Sequence, residues 1–169
     1  ATTDARMLAR CLVEGEAEAV ALAVSLRQKG RNLATLPADE FVPRADERAD
    51  SMRLQWAAGR ELMVRAFQRG GWSAVHAVFT AAPANAALLL HKERAEWPAP
   101  TAIALPSWPG DDQAQLVRDD VWGELGLRMF LGYFDGDVDP VSLAAIGWRA
   151  DAQRVWRQAD GKQAMVWRL

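Results

Sequence analysis

Residues 2–30 read TTDARMLARCLVEGEAEAVALAVSLRQKG, and the rest of the chain is organised around this stretch. Leu8, Leu12, Gly15, Ala19, Leu22 and Leu26 recur at steps of four and three, one continuous apolar stripe on a helix. Val13, Ala17, Val20, Ala21 and Val24 fall on roughly the opposite side. A helix that is apolar on two sides is ordinarily packed on both, so a covering element is expected on each. Gly15 sits within the first stripe although glycine inside a helix costs about 1 kcal/mol against alanine. Close approach of another element is the expected reason. Thr2, Thr3 or Asp4 supplies the N-cap and Gly30 the stop.

A second stripe, Met52, Trp56, Gly59, Met63 and Ala66, has the same spacing. Pro43 followed by Asp46-Glu47 predicts its start, and Gly70-Gly71 ends it after about Gln68. Gly59 lies mid-stripe, as Gly15 does, so the two long helices are expected to cross closely with these glycines near the contact. Residues 31–44 hold two prolines and little periodicity and read as a loop. Trp72–Phe79 and Pro83–His91 read as short helices. Prolines at 98, 100, 106 and 109 bracket Thr101–Leu105, a candidate edge strand.

Asp111-Asp112 reads as a turn or cap. Gln115–Trp122 fits strand or helix, and Gly123–Phe134, apolar nearly all round, reads as a buried helix. Asp139-Pro140 predicts a further helix to about Ile146. Asp160-Gly161 between two alternating runs predicts a terminal hairpin. The fold class is therefore α+β: one mostly helical domain spanning residues 1–169, with two long packed helices and a small antiparallel sheet that includes the C-terminal hairpin.

The 169 residues suffice for one domain with a real core, and half of them are apolar. A net charge of −2 gives no electrostatic case for nucleic acid or an anionic membrane. No run of about 18 apolar residues predicts a transmembrane segment. No signal peptide is visible at Ala1, which leaves a soluble protein in the cytoplasm or one exported after processing. The single cysteine, Cys11, excludes an internal disulfide and reads as a buried, inert thiol. Most of the eight tryptophans lie in the second half, where large rings can fill a mixed core.

Several residues could carry chemistry. Glu14, Glu16 and Glu18 lie within about one turn, either as surface charge with Arg10 pairing Glu14, or with a buried carboxylate in a metal or base role. His76 reads as a core or boundary histidine, and His91 as a helix-terminal residue meeting the dipole. If the two met near Glu14 or Glu93 they could form a metal site. Asp135-x-Asp137-x-Asp139 starts like a calcium loop, but an EF-hand then needs glycine and glutamate where Pro140 and Ile146 stand. A solvated capping loop is the expectation. Glu124, in an apolar helix, needs a partner such as Arg128 or Arg149. No phosphate-binding glycine loop and no nucleophile signature is present.

Leu12-Val-Glu-Gly-Glu-Ala17 resembles the downstream glutamate helix of gluzincin-type zinc metallopeptidases, and more closely a bacterial and archaeal group of such proteins. Gly71-Trp-Ser-Ala-Val75 with Leu89-Leu-His91-Lys-Glu-Arg94 is similar to that group's short helix and leucine-His-Pro-Glu segment. Trp122-Gly-Glu-Leu-Gly126 resembles its glycine-glutamate-leucine-glycine helix start, and Ala144-Ala-Ile-Gly-Trp148 its alanine-rich Gly-Trp segment. By this resemblance Glu14 holds the third zinc-ligand position. The chain departs from the pattern in having no His-Glu-x-x-His, and Lys92 stands where the group has proline. The resemblance then implies a vestigial Glu14, no catalytic residue, and zinc only if the other ligands come from elsewhere.

The function expected is a non-catalytic, metallopeptidase-like domain that binds a peptide or protein through an apolar groove or sheet edge. Two alternatives stand beside it. The chain is part of an active zinc peptidase whose catalytic helix lies in a missing or separate segment, or it is a structural subunit of an oligomer.

Overall fold

The computed structural model describes residues 1–44, 46–47, 50–91, 102–107, 114–135, 145 and 147–169, with backbone alone at 51 and 132–135. Among these, α1 spans Thr3–Gln28, α2 Ser51–Thr80, α3 Ala87–Leu90 and α4 Gly123–Asp135. Strands β1 (Gln115–Asp120), β2 (Ala152–Arg157) and β3 (Gln163–Arg168) form one antiparallel sheet in the order β1-β2-β3. The fold is α+β and mostly helical, with two long packed helices and a C-terminal hairpin.

The ends of α1 are set locally. The Thr2 hydroxyl accepts from the Ala5 N–H at 3.2 Å. At the far end Gly30 takes φ 68°, which lets the Gly30 N–H reach the Arg27 carbonyl at 3.1 Å and the Arg31 N–H the Leu26 carbonyl at 2.8 Å. Between these ends Leu8, Cys11, Leu12, Ala19 and Leu26 are buried in the main core with Phe41, Met63, Val64, Ala66, Val75 and Leu125.

α2 is capped by Asp50, whose carboxylate accepts from the Met52 and Arg53 N–H groups at 2.8 and 3.1 Å. The start expected at Asp46-Glu47 is corrected accordingly. Those two residues are helical, but the long helix begins at Ser51. Its break falls at Gly70-Gly71, where Gly71 takes φ 65° and turns the chain into a return limb, residues 72–80. The first limb runs in the same direction as α1. Gly59 meets Cys11 and Gly15, Arg60 meets Glu18, and the Gln68 amide donates to the Leu36 carbonyl beyond the end of α1.

At the crossing a side chain on either helix would collide with the other backbone. A methyl group built on Gly15 would overlap Gly59, and one on Gly59 would overlap the Cys11 carbonyl and stand 3.1 Å from the Gly15 Cα. Both glycines are therefore required by close approach.

Four further expectations need correction. The second apolar side of α1 has no cover in the described structure: Val13, Val20 and Val24 are 60%, 43% and 54% exposed. Residues 31–44 contain two 3-10 turns, Leu33–Thr35 and Ala38–Glu40. Residues 102–105 form no strand. The Leu105 carbonyl instead accepts from the Arg154 guanidinium at 3.2 Å, and Pro106 has no N–H for a ladder. The helix expected over Pro83–His91 shortens to Ala87–Leu90, and Gln115–Asp120 resolves as a strand with a bulge between Leu116 and Arg118. The Asp111-Asp112 turn, the loop at 136–139, and Pro140–Ile146 except for a helical Ala145 lie outside the described residues.

The hairpin turn is closed by the Gln158 N–H donating to the Lys162 carbonyl at 2.8 Å, with Gly161 at φ 84°. α4 joins the two cores. Leu125 enters the first, while Leu127 packs with Ala87, Ala145 and Trp148 in the second.

Gly59→Ala is expected to cost on the order of 1–3 kcal/mol of unfolding free energy by overpacking the crossing. Gly147→Ala, with nothing within 4 Å, is expected to stay within about 0.5 kcal/mol. Urea unfolding of both variants measures the contrast, and equal midpoints would contradict it.

Candidate functional site

The residue singled out as a metal-ligand position, Glu14, sits half-buried on α1 and makes no hydrogen bond or ion pair among the described residues. Arg10 does not pair with it and is exposed. The neighbouring Glu16 has Oε1 3.8 Å from Nε2 of His76. That histidine is on the surface of the return limb, not in the core or at its boundary. His91 is buried elsewhere, and Glu93 lies outside the described residues. The two histidines therefore keep separate partners. Catalytic zinc needs about three protein ligands and an open position. Among the described residues no three His, Cys, Asp or Glu side chains gather to hold a metal ion, so these residues do not by themselves fit zinc. Cys11 is buried, and burial pushes its thiol up to about 12, which makes it inert at neutral pH.

Glu124 does find its partner. It is 0% exposed, and its Oε1 accepts from Arg128 Nη2 at 2.7 Å and Nε at 3.1 Å, one turn along α4. His91 Nε2 lies 2.7 Å from the same oxygen. Glu124 Oε2 is buried with no hydrogen-bond partner among the described residues. Two stretches that carry the family resemblance thus meet, with His91 from one and Glu124 from the other. This group ties the end of α3 to the start of α4. Its burial on all sides suits a structural clamp better than chemistry on a substrate.

A second buried cluster was not anticipated. Asp120, at the end of β1, accepts from the Thr3 N–H and hydroxyl, both at 2.6 Å, and pairs with Arg118 at 3.0 Å. Burial pushes Asp120 up, but the Thr3 hydrogen bonds and Arg118 outweigh it and hold the carboxyl below its ordinary range. Asp151 accepts from the Trp122 and Gly123 N–H groups at the start of α4, both at 2.9 Å, and from the indoles of Trp148 and Trp167 at 2.9 and 3.2 Å. It caps that helix from a distance. The rings of Trp122, Phe130 and Trp167 pack against one another at centroid separations of 5.1–5.4 Å.

Asp4 is the least satisfied of the three aspartates. It is 5% exposed, lies against Gly123, and among the described residues its carboxylate accepts only from the Ala86 N–H, at 3.3 and 3.4 Å. Burial raises it from 3.8 to about 6; the Ala86 hydrogen bond opposes the rise and the nearby Asp151 adds to it. Thr3 and Asp120 stand 117 residues apart, so no local pattern could have revealed this junction.

The outer side of α1 is accessible along its length. Val13, Ala17, Val20, Ala21 and Val24 are all exposed there, opposite the buried stripe. Ala21 also lines a cleft of about 390 Å³ with Glu18, Leu22, Ser25, Glu40, Val42, Arg44 and Arg60. The cleft is held in shape by charge. Arg60 donates to Glu18 at 3.0 Å, to both Glu47 oxygens at 3.1 Å and to the Phe41 carbonyl at 3.3 Å. Burial pushes Glu47 up, but these bonds and the Arg44 N–H hold it below its ordinary range. An apolar floor, polar walls and an adjoining bare helix face suit the contact of another polypeptide.

Comparison with known protein families, curated proteins and solved structures gives no match.

Asp4 sets a pH dependence whose sign is opposite to that of Asp120 and Glu47. Its folded value lies above its unfolded one, so its stabilising contribution is complete below about 4 and is lost as pH rises through 6. Asp4→Asn removes that loss. Relative to wild type, its unfolding free energy is expected to rise between pH 4 and pH 7, by at most on the order of 3 kcal/mol. Urea midpoints across this range measure it, and parallel profiles would contradict it.

Proposed function

We propose that this chain is a metallopeptidase-like domain with no catalysis of its own, which binds another polypeptide on the outer face of α1. The observation that carries the reading is the bare apolar side of that helix, with Val13 and Val24 more than half exposed and a cleft alongside. Exposed apolar surface that continues into a cleft marks an interaction site more often than a solvated helix back. The non-catalytic half rests on the sequence, which carries no His-Glu-x-x-His. Likeness to metallopeptidases rests on the sequence motifs.

One observation favours a second reading. Glu14 stands half-buried and without a polar partner among the described residues, at the rim of the bare face. A helix docked there could bring histidines to it. In this reading the bound polypeptide carries His-Glu-x-x-His and the zinc site is shared.

The purified chain, equilibrated with zinc and dialysed, is expected to retain far less than one ion per chain and to show no chelator-sensitive proteolysis. One bound zinc with such proteolysis would overturn the non-catalytic reading. For docking, peptides selected from a random display library on the wild-type chain are expected to lose binding to Val20→Asp. Failure to enrich any Val20-dependent peptide would overturn it. Zinc uptake after adding a helical peptide bearing His-Glu-x-x-His, lost in Glu14→Gln, would establish the second reading. Uptake indifferent to Glu14→Gln would remove it.

A further inference from the structure

The first turn of α1 is held differently from the rest of the helix. From Leu8 onward the helix is anchored in the main core, but Thr3, Asp4, Ala5 and Arg6 contribute no apolar side chain to it. What fastens this turn is polar. The Thr3 N–H and hydroxyl donate to Asp120, the Asp4 N–H donates to the Val121 carbonyl at 2.9 Å, and the Ala86 N–H donates to the Asp4 carboxylate. A segment tied by a few hydrogen bonds, with little apolar burial, opens at lower cost than the core beside it.

One member of this junction is badly placed for a charge. Asp4 is buried, and a methyl group at Gly123 would overlap its carboxylate. It thus lies against the start of α4, and a helix start ordinarily favours an anion. The Trp122 and Gly123 N–H groups, however, are already engaged by Asp151. The surrounding elements bring Asp4 carboxylates rather than cations. Asp151 acts on it from the segment before β2 and adds repulsion. Asp120 stands at the end of β1, engaged by Thr3, by Arg118 and, at 4.0 Å, by Arg6. Glu124, next to Gly123 on α4, is bound by Arg128 and His91. On α1 itself Cys11 is a neutral thiol that feels the Asp4 charge, and Asn85 and Ala86 ahead of α3 carry none. Among the described residues no cation pairs with Asp4. Such a neighbourhood favours the neutral acid over the carboxylate.

We propose that Asp4 is the pin of a proton-operated latch: while it holds a proton, the first turn of α1 stays fastened to Asp120, Val121 and Ala86, and once ionised it releases this junction locally while the Gly15–Gly59 crossing stays closed. Burial lifts Asp4 from 3.8 to about 6, so its contribution is complete below 3.8 and is lost as pH rises through 6. The latch has an acid limit as well, because Asp120 grips Thr3 as a carboxylate. Burial raises Asp120 too, but the Thr3 bonds and Arg118 outweigh it and hold the group below 3.8. That grip is complete above 3.8 and is lost as pH falls through the lower folded value. The junction is therefore tightest in mild acid and loosens toward neutrality. This inference stands apart from the docking reading, which concerns the outer face of α1.

Native-state hydrogen exchange of the full chain, in dilute urea between pH 5 and pH 7, tests it. After correction for intrinsic rates, the Thr3, Asp4 and Ala86 amides are expected to exchange through an opening insensitive to urea, whose equilibrium constant rises about tenfold from pH 5 to pH 7. The Ala19 and Val64 amides, deep in the core, are expected to exchange only through urea-sensitive global unfolding. Asp4→Asn, which mimics the protonated acid, should hold the junction closed across the range. Junction amides that follow the core amides in urea would overturn the latch and leave only a pH-dependent global stability. A urea-insensitive opening with no rise between pH 5 and pH 7 would overturn it too, as would a rise that persists in Asp4→Asn. The first two of these outcomes are read on the wild-type chain alone.

Discussion

The close crossing of α1 and α2 at Gly15 and Gly59 is the constraint on which the rest depends. With no side chain on either helix at that point, the backbones touch, and Gly59 comes against the Cys11 carbonyl. Contact this tight fixes the register of the two helices. It lets Leu12, Ala19, Met63 and Ala66 share one core, and it places Arg60 where it can bridge Glu18 and Glu47. That bridge in turn shapes the cleft beside α1. A fold that spends its tightest packing on one side of α1 leaves the other side to the solvent or to a partner.

The remaining elements hang from the ends of this pair. The break at Gly70-Gly71 sends the chain back along α1 to Ala86, whose N–H meets Asp4. Asp120 grips Thr3, Asp151 caps α4, and Asp4 wedges between them, so three buried carboxylates fasten the start of α1 to the sheet and to α4. Asp120, bound by Thr3 and Arg118, is held below its ordinary range, whereas burial pushes Asp4, with two long hydrogen bonds, above its own. Glu124, Arg128 and His91 make a parallel clamp between α3 and α4.

What was legible in the sequence follows from what a local pattern can encode. The two long helices, their glycines and the break at Gly70-Gly71 were readable because periodicity and glycine placement are properties of one segment. The same is true of the hairpin around Gly161 and of Glu124, an acid among apolar neighbours with Arg128 one turn on. β1 was ambiguous because five of its six residues are exposed and no alternation survives. Thr101–Leu105 misled because small apolar residues between prolines look like an edge strand whether or not a ladder partner exists. The two-sided apolar pattern of α1 told which residues share a face, but not whether anything covers it. Asp4, Asp120 and Asp151 were silent because the partners that fasten them across the fold, Ala86, Thr3 and the start of α4, are remote in the chain, and the same distance hid His91 from Glu124.

The central claim is that α1 is packed on one side and open on the other. Thiol labelling tests it most directly, comparing Ala19→Cys with Val20→Cys in a background where the native thiol is replaced by Cys11→Ala. The account predicts that the cysteine at position 20 reacts at nearly the rate of an unfolded peptide, while the one at position 19 reacts only as fast as the protein opens. Equal protection at both positions in the isolated chain would contradict it, because α1 would then be covered on both sides.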